Sequence, residues 1–163
     1  MEYNNILVSA CADNGILCIA VKMPLHLAVL NINGADDVLD MYKDVEDWYI
    51  GGHSLGGAMA ASYLQKNHIK YKGLILLAAY STADLSHTDL KTLSVYGTED
   101  QIMNRDKYNE NISSLPKLKE VYIEGGNHCQ FGDYGHQKGD GEALITQDKQ
   151  LDITVSHINE FIK

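Results

Sequence analysis

Gly52-His53-Ser54-Leu55-Gly56-Gly57 is the stretch that decides the fold. It contains the pattern G-x-S-x-G. A strand-like run, 47–51, leads into it, and a Gly/Ala-rich helical pattern, 55–66, leads out. A serine on a sharp strand-to-helix turn projects its hydroxyl from the top of a sheet, and glycines flank it because larger residues would clash with the reversing backbone. Gly56, Gly57, Ala60 and Ala61 would let the helix lie close to the sheet. The helix N-terminus also favours negative charge beside Ser54. Ser54 is therefore the candidate nucleophile, against the plainer reading of a solvated serine in a glycine-rich turn. His53 is its sequence neighbour, but adjacent side chains diverge on a tight elbow, so a structural role is expected for it.

Outward from the elbow, helix-like and strand-like segments alternate. Residues 2–14 carry Ile6, Leu7, Ala10 and Cys11 on one helical stripe, stopped by Asn14-Gly15. Residues 16–21 form a continuous apolar run that suits a strand covered on both faces. Residues 35–43 read as a helix. Beyond the elbow, Gly73 opens the run Leu74 to Ala79, and strands are expected at 91–96 and 118–123, separated by a helix over 104–113. A final helix, 146–162, starts at Thr146, a fair N-cap. Alternation of this kind predicts a three-layer α/β sandwich with a mainly parallel sheet of about five strands, in one domain spanning 1–163.

Chemistry in such sheets collects at the carboxyl ends of strands. A serine nucleophile needs a base within hydrogen-bond reach and an acid to orient that base. Asp100 stands on the loop after strand 91–96, with Glu99 as its rival. His128 stands on the loop after strand 118–123. The chain order serine, acid, histidine fits. Residues 125–141 follow, with six glycines among 17 residues, and a loop of that kind beside a base often walls a site. His26, Tyr80, the loop 84–90 and Phe131 are candidate substrate walls. Asp133, His136 and Asp140 raise a metal, but their spacing fits no metal loop, and neither a metal nor a cofactor is expected. Cys11, Cys18 and Cys129 fit no zinc pattern. Cys129 adjoins His128, where a nucleophile-base pairing of neighbours is disfavoured.

The bulk composition narrows the partners. The 163 residues carry a net charge of −9, which repels phosphate backbones and sets nucleic acid aside. No apolar stretch approaches the roughly 18 residues of a membrane span, and no secretion signal opens the chain, so as written it is expected in the cytoplasm. A small-molecule substrate is the expected partner.

These residues resemble the α/β-hydrolase superfamily, and most closely a bacterial carboxylesterase-like subfamily. The resemblance is carried by Val21-Lys22-Met23-Pro24, by residues 48–60, and by Gly125 through Gly135 with Gln137. It implies Ser54 as nucleophile, Asp100 as acid, His128 as base and the Leu55 N–H as one oxyanion donor, acting on an ester-like substrate. The front departs from the family: only 16–21 precedes the elbow as a clear strand. The fold expected is thus an N-terminally truncated α/β-hydrolase fold. The loop that supplies the family's second oxyanion N–H would be absent, as would the strand beside 47–51. Either 16–21 pairs with 47–51, or a second chain fills the gap, as in a homodimer, or the fragment is poorly stable. Family members often carry an N-terminal membrane anchor, so a longer product would be membrane-anchored or extracellular. Two further readings stay open: a catalytically impaired fragment or subunit that needs a complementing chain, and a small-molecule binding module using the same pocket.

Overall fold

A computed structural model describes residues 6–21, 35–133 and 135–163. Four strands form the sheet: β1 (Tyr49–His53), β2 (Gly73–Leu77), β3 (Lys91–Gly97) and β4 (Leu118–Ile123), in the order β1-β2-β3-β4. All neighbours are parallel, with Tyr49 beside Gly73, Gly73 beside Lys91, and Thr92 beside Leu118. The helices are α1 (Ile6–Asp13), α2 (Asp36–Met41), α3 (Leu55–Asn67), α4 (Arg105–Asn111) and α5 (Gln147–Ile162).

Because strand side chains alternate faces, the central strands feed two cores. Leu74 and Leu76 of β2 pack with Ala60, Ala61 and Leu64 of α3, and Leu39 of α2 joins them. Leu77, Leu93, Val95, Val121 and Ile123 face the other way, onto Ile158 and Phe161 of α5 and Leu7 of α1. The result is the expected three-layer arrangement. Burial of a leucine such as Leu64, Leu74 or Leu76, each fully inaccessible, contributes about 1.5–3 kcal/mol. Thr146 caps α5, accepting from Lys149 N–H at 3.3 Å.

The sheet has one strand fewer than the sequence pattern counts. Residues 16–21 form no ladder with any described strand. Ile16 packs against the α5-side core, while Leu17 is 60% exposed. An apolar run favours burial without fixing a strand partner, and here none of the six residues is fully buried. Residues 16–21 instead line one wall of an apolar cleft of about 1040 Å³, with β1, α2, α3 and the end of α5 around it. Among the described residues β1 is paired on one side alone, by β2.

Candidate active site

The elbow is built by close approach of backbone. Ser54 follows β1 with φ 52° and ψ −123°, a left-handed conformation strained for a residue with a Cβ. Its N–H donates to the Leu77 carbonyl at 2.9 Å, and its own carbonyl accepts from Gly57 N–H at 3.1 Å. A Cβ at Gly52 would come within 2.5 Å of the Gly56 carbonyl carbon, and one at Gly57 within 2.7 Å of Ala79 Cβ. Gly57 is thus the glycine that lets α3 approach the sheet. Gly56 has open space beside it. Leu55 begins α3, where first-turn N–H groups lack intrahelical acceptors, which suits its candidate role as an oxyanion donor. Its side chain is half exposed.

Acid and base candidates arrive on adjacent strand-end loops. Thr98 N–H donates to the Ile123 carbonyl at 3.0 Å and Glu99 N–H to the Gly126 carbonyl at 2.8 Å, so the two loops leave the sheet tied together. A side chain at Gly97 would collide with the Gly126 carbonyl. Asp100 Oδ1 accepts from the N–H groups of Ile102 at 2.9 Å and Met103 at 2.8 Å. Asp100 Oδ2 lies 3.0 Å from His128 Nδ1, with both side chains buried. Burial pushes the Asp100 carboxyl upward, but the His128 hydrogen bond and the two backbone N–H groups outweigh it and hold the group below the usual carboxylate range. An ionised Asp100 fixes the proton of a neutral imidazole on Nδ1 and leaves Nε2 as the basic nitrogen. Nε2 is itself buried and has no hydrogen-bond partner among the described residues. Glu99, the rival acid, instead accepts from Thr98 Oγ1 at 3.1 Å.

His128 and Ser54 line one cavity of about 330 Å³, together with Leu55, Ala58, Met59, Ser62, Ala78, Ala79, Tyr80, Thr82, Ile102 and Met103. Ser54 also borders the larger cleft. No hydrogen bond joins the serine to Nε2 in this structure, which is common before a substrate tightens such a site. Leu55, Ala58, Met59 and Ser62 are one helical stripe of α3. Their spacing from the serine was visible in the sequence, but a wall needs the cavity before it can be recognised. Ala78, at φ 46° after β2, carried no such signal.

Of the sequence-proposed walls, Tyr80 borders the cavity. Phe131 does not: it is buried and stacks on His53, ring centroids 5.9 Å apart at 30°, and borders the large cleft. The loop 84–90 turns inward, with Leu85 and Leu90 in the α3-side core. His26 lies outside the described residues. His53 packs on His128 with centroids 4.5 Å apart, and burial, then the His128 charge, lower its pKa to about 4. Cys129 is buried, which pushes its thiol up to about 11 and disfavours a thiolate. Among the described residues no group of three His, Cys, Asp or Glu is placed to hold a metal ion. No described helix is long and apolar enough to cross a membrane.

A parallel sheet with helices on both faces, a strained serine elbow and adjacent acid and histidine loops define the class: a hydrolase of α/β type. Residues 2–152 match the alpha/beta hydrolase family, and the chain belongs to that family. It is similar to a predicted CIB-like hydrolase of Thermoplasma acidophilum at 20% identity and TM-score 0.55, over 79% of this chain and 60% of that one. It is similar to Est1E of Butyrivibrio proteoclasticus at 16% and 0.59, over 84% and 70%. Carboxyl esterase 2 of the mycorrhizal fungus Tuber melanosporum is similar at 11% and 0.65, over 96% and 72%. The chain therefore spans about 60% of the first of these proteins and about 70% of the other two. At these identities the likeness is one of fold. No curated protein matches the chain.

Proposed function

We propose that the chain is a serine hydrolase acting on small carboxylic esters through Ser54, His128 and Asp100. The observation that carries this reading is the buried Asp100–His128 pair at 3.0 Å, with His128 bordering the same cavity as the strained Ser54. Ser54 Oγ attacks the ester carbonyl while His128 Nε2 takes its proton. The Leu55 N–H stabilises the developing oxyanion. His128 then delivers the proton to the leaving alcohol, and an acyl-enzyme remains on Ser54 until water, activated by the same imidazole, releases the acid. Asp100 holds the ring and stabilises the imidazolium. No cofactor enters this scheme. The esterase names of Est1E and the Tuber protein support the choice of ester.

Hydrolysis of short-chain p-nitrophenyl esters by the folded chain, beside its Ser54→Ala variant, tests this. Turnover that depends on Ser54 supports it. Turnover that survives in Ser54→Ala refutes it.

A second reading is favoured by the β1 edge and the apolar cleft beside it: a core that needs a complementing chain, a second copy included, for full activity. On that reading the folded monomer turns over weakly and gains activity as concentration, or an added chain, drives association.

A further inference from the structure

The glycine-rich return, 125–141, ends on a carboxylate with an unusual set of partners. Asp140 Oδ1 accepts from the backbone N–H of Gln101 at 3.3 Å, of His128 at 3.4 Å and of Gly141 at 2.9 Å. Its Oδ2 accepts from Cys129 N–H at 2.9 Å. Gln101 directly follows Asp100, so one side chain grips both the loop that carries the acid and the backbone of the base.

The surrounding contacts fix that carboxylate in turn. Gly141 is pressed into the acid loop, where a Cβ would collide with the Glu99 carbonyl. The Gly141 carbonyl accepts from Asn127 Nδ2 at 2.8 Å. From α5, the fully buried Gln150 accepts from Asn127 N–H at 3.0 Å and donates to the Asn127 carbonyl at 2.9 Å. The N–H groups of Asn127, His128 and Cys129 are thus all held by side chains. The sheet ties the two loops only as far as Glu99 and Gly126. Beyond that point the Asp100–His128 bond and Asp140 hold their spacing, beside the packing of Gly141 against Glu99.

We propose that Asp140 is a positioning residue, whose carboxylate sets the separation of the acid and base loops and so aligns His128 with Ser54. This rests on the Ser54–His128–Asp100 reading above. The geometry leaves little slack: a shift of about 1 Å would turn a 3.0 Å contact into no hydrogen bond, and misplacement of that size typically costs on the order of 10²-fold in rate. The charged and titratable groups around the imidazole are Asp100 from the acid loop, Asp140 and Cys129 from its own loop, and His53 from the end of β1.

The test is Asp140→Asn, which keeps the shape but turns an amide NH₂ toward one of the N–H donors. The primary readout is the downfield proton resonance of His128 Nδ1–H, identified by its loss in His128→Gln. Beside it stand kcat and KM on p-nitrophenyl acetate, and the melting curve. The expected result is a folded variant in which that resonance is lost or displaced, with kcat down about 10²-fold and KM nearly unchanged. A folded variant that keeps the resonance in place overturns the proposal. Should Asp140→Asn not fold, Asp140→Glu, which keeps the charge but lengthens the arm, is read in the same way. The resonance does not depend on turnover, so an inactive wild type would count against the hydrolase reading while the comparison still decides the role of Asp140.

Discussion

Replacing His53 by asparagine is expected to flatten the acid side of the stability profile. His53 is wedged between the rings of His128 and Phe131, and its burial, with the neighbouring His128 charge, lowers its pKa from 6.5 to about 4. The unfolded chain therefore takes up a proton on this ring below about pH 6.5 that the folded chain refuses until about pH 4. Where the unfolded state binds more protons, stability rises with pH, so this group makes the fold weaker as pH falls through that window. At 1.36 kcal/mol per pKa unit the full loss is on the order of 3 kcal/mol, most of it present by about pH 4.5. Asp100 adds to the acid-side loss in both proteins, because its lowered pKa gives stability above the unfolded carboxylate value that disappears as pH falls. The difference between wild type and His53→Asn isolates the imidazole. Urea denaturation of both, at about pH 7.5 and about pH 4.5, measures it: wild type is expected to lose about 2–3 kcal/mol more than the variant. Equal losses in the two proteins would refute the claim that a half-buried neutral His53 sits behind the site.

Other substitutions test the remaining pieces. Asp100→Asn places an amide against the Ile102 and Met103 N–H groups and favours the wrong imidazole tautomer; kcat on a short ester is expected to fall by about 10³–10⁴-fold with the fold retained by circular dichroism. Gly57→Ala puts a Cβ 2.7 Å from Ala79 Cβ and 2.7 Å from the Gly52 carbonyl oxygen, so chemical denaturation should show a loss of about 1–3 kcal/mol, with α3 and the Leu55 N–H displaced and activity reduced. A cavity of about 330 Å³ lies at the small end of ligand pockets, so turnover is expected to fall as the acyl group lengthens from acetyl to decanoyl, and Met59→Ala to shift the profile toward longer chains.

The elements legible in the sequence were those whose signal is local. The strand 118–123 was read to its observed ends, Leu118 and Ile123. The elbow was legible because backbone crowding restricts it to glycine, although the structure divides the labour differently: Gly52 and Gly57 meet neighbours, while Gly56 does not. The run 16–21 misled because continuous hydrophobicity specifies no ladder partner, and its residues, none of them fully buried, line a cleft instead. Phe131 was placed on a substrate wall from its loop alone, whereas its ring supports His53. Asp140 was weighed only as a metal ligand. Its bonds to Gln101, His128 and Cys129 join loops far apart in the chain, and no spacing rule reaches across them.

The most direct test of the central claim is intact-mass analysis of the folded chain after exposure to a fluorophosphonate, with peptide mapping of any adduct. A single adduct on Ser54, absent from Ser54→Ala and strongly slowed in His128→Gln, is the expected result. A folded chain that takes up no adduct, or carries it on another residue, would contradict the assignment of Ser54 as a nucleophile activated by His128.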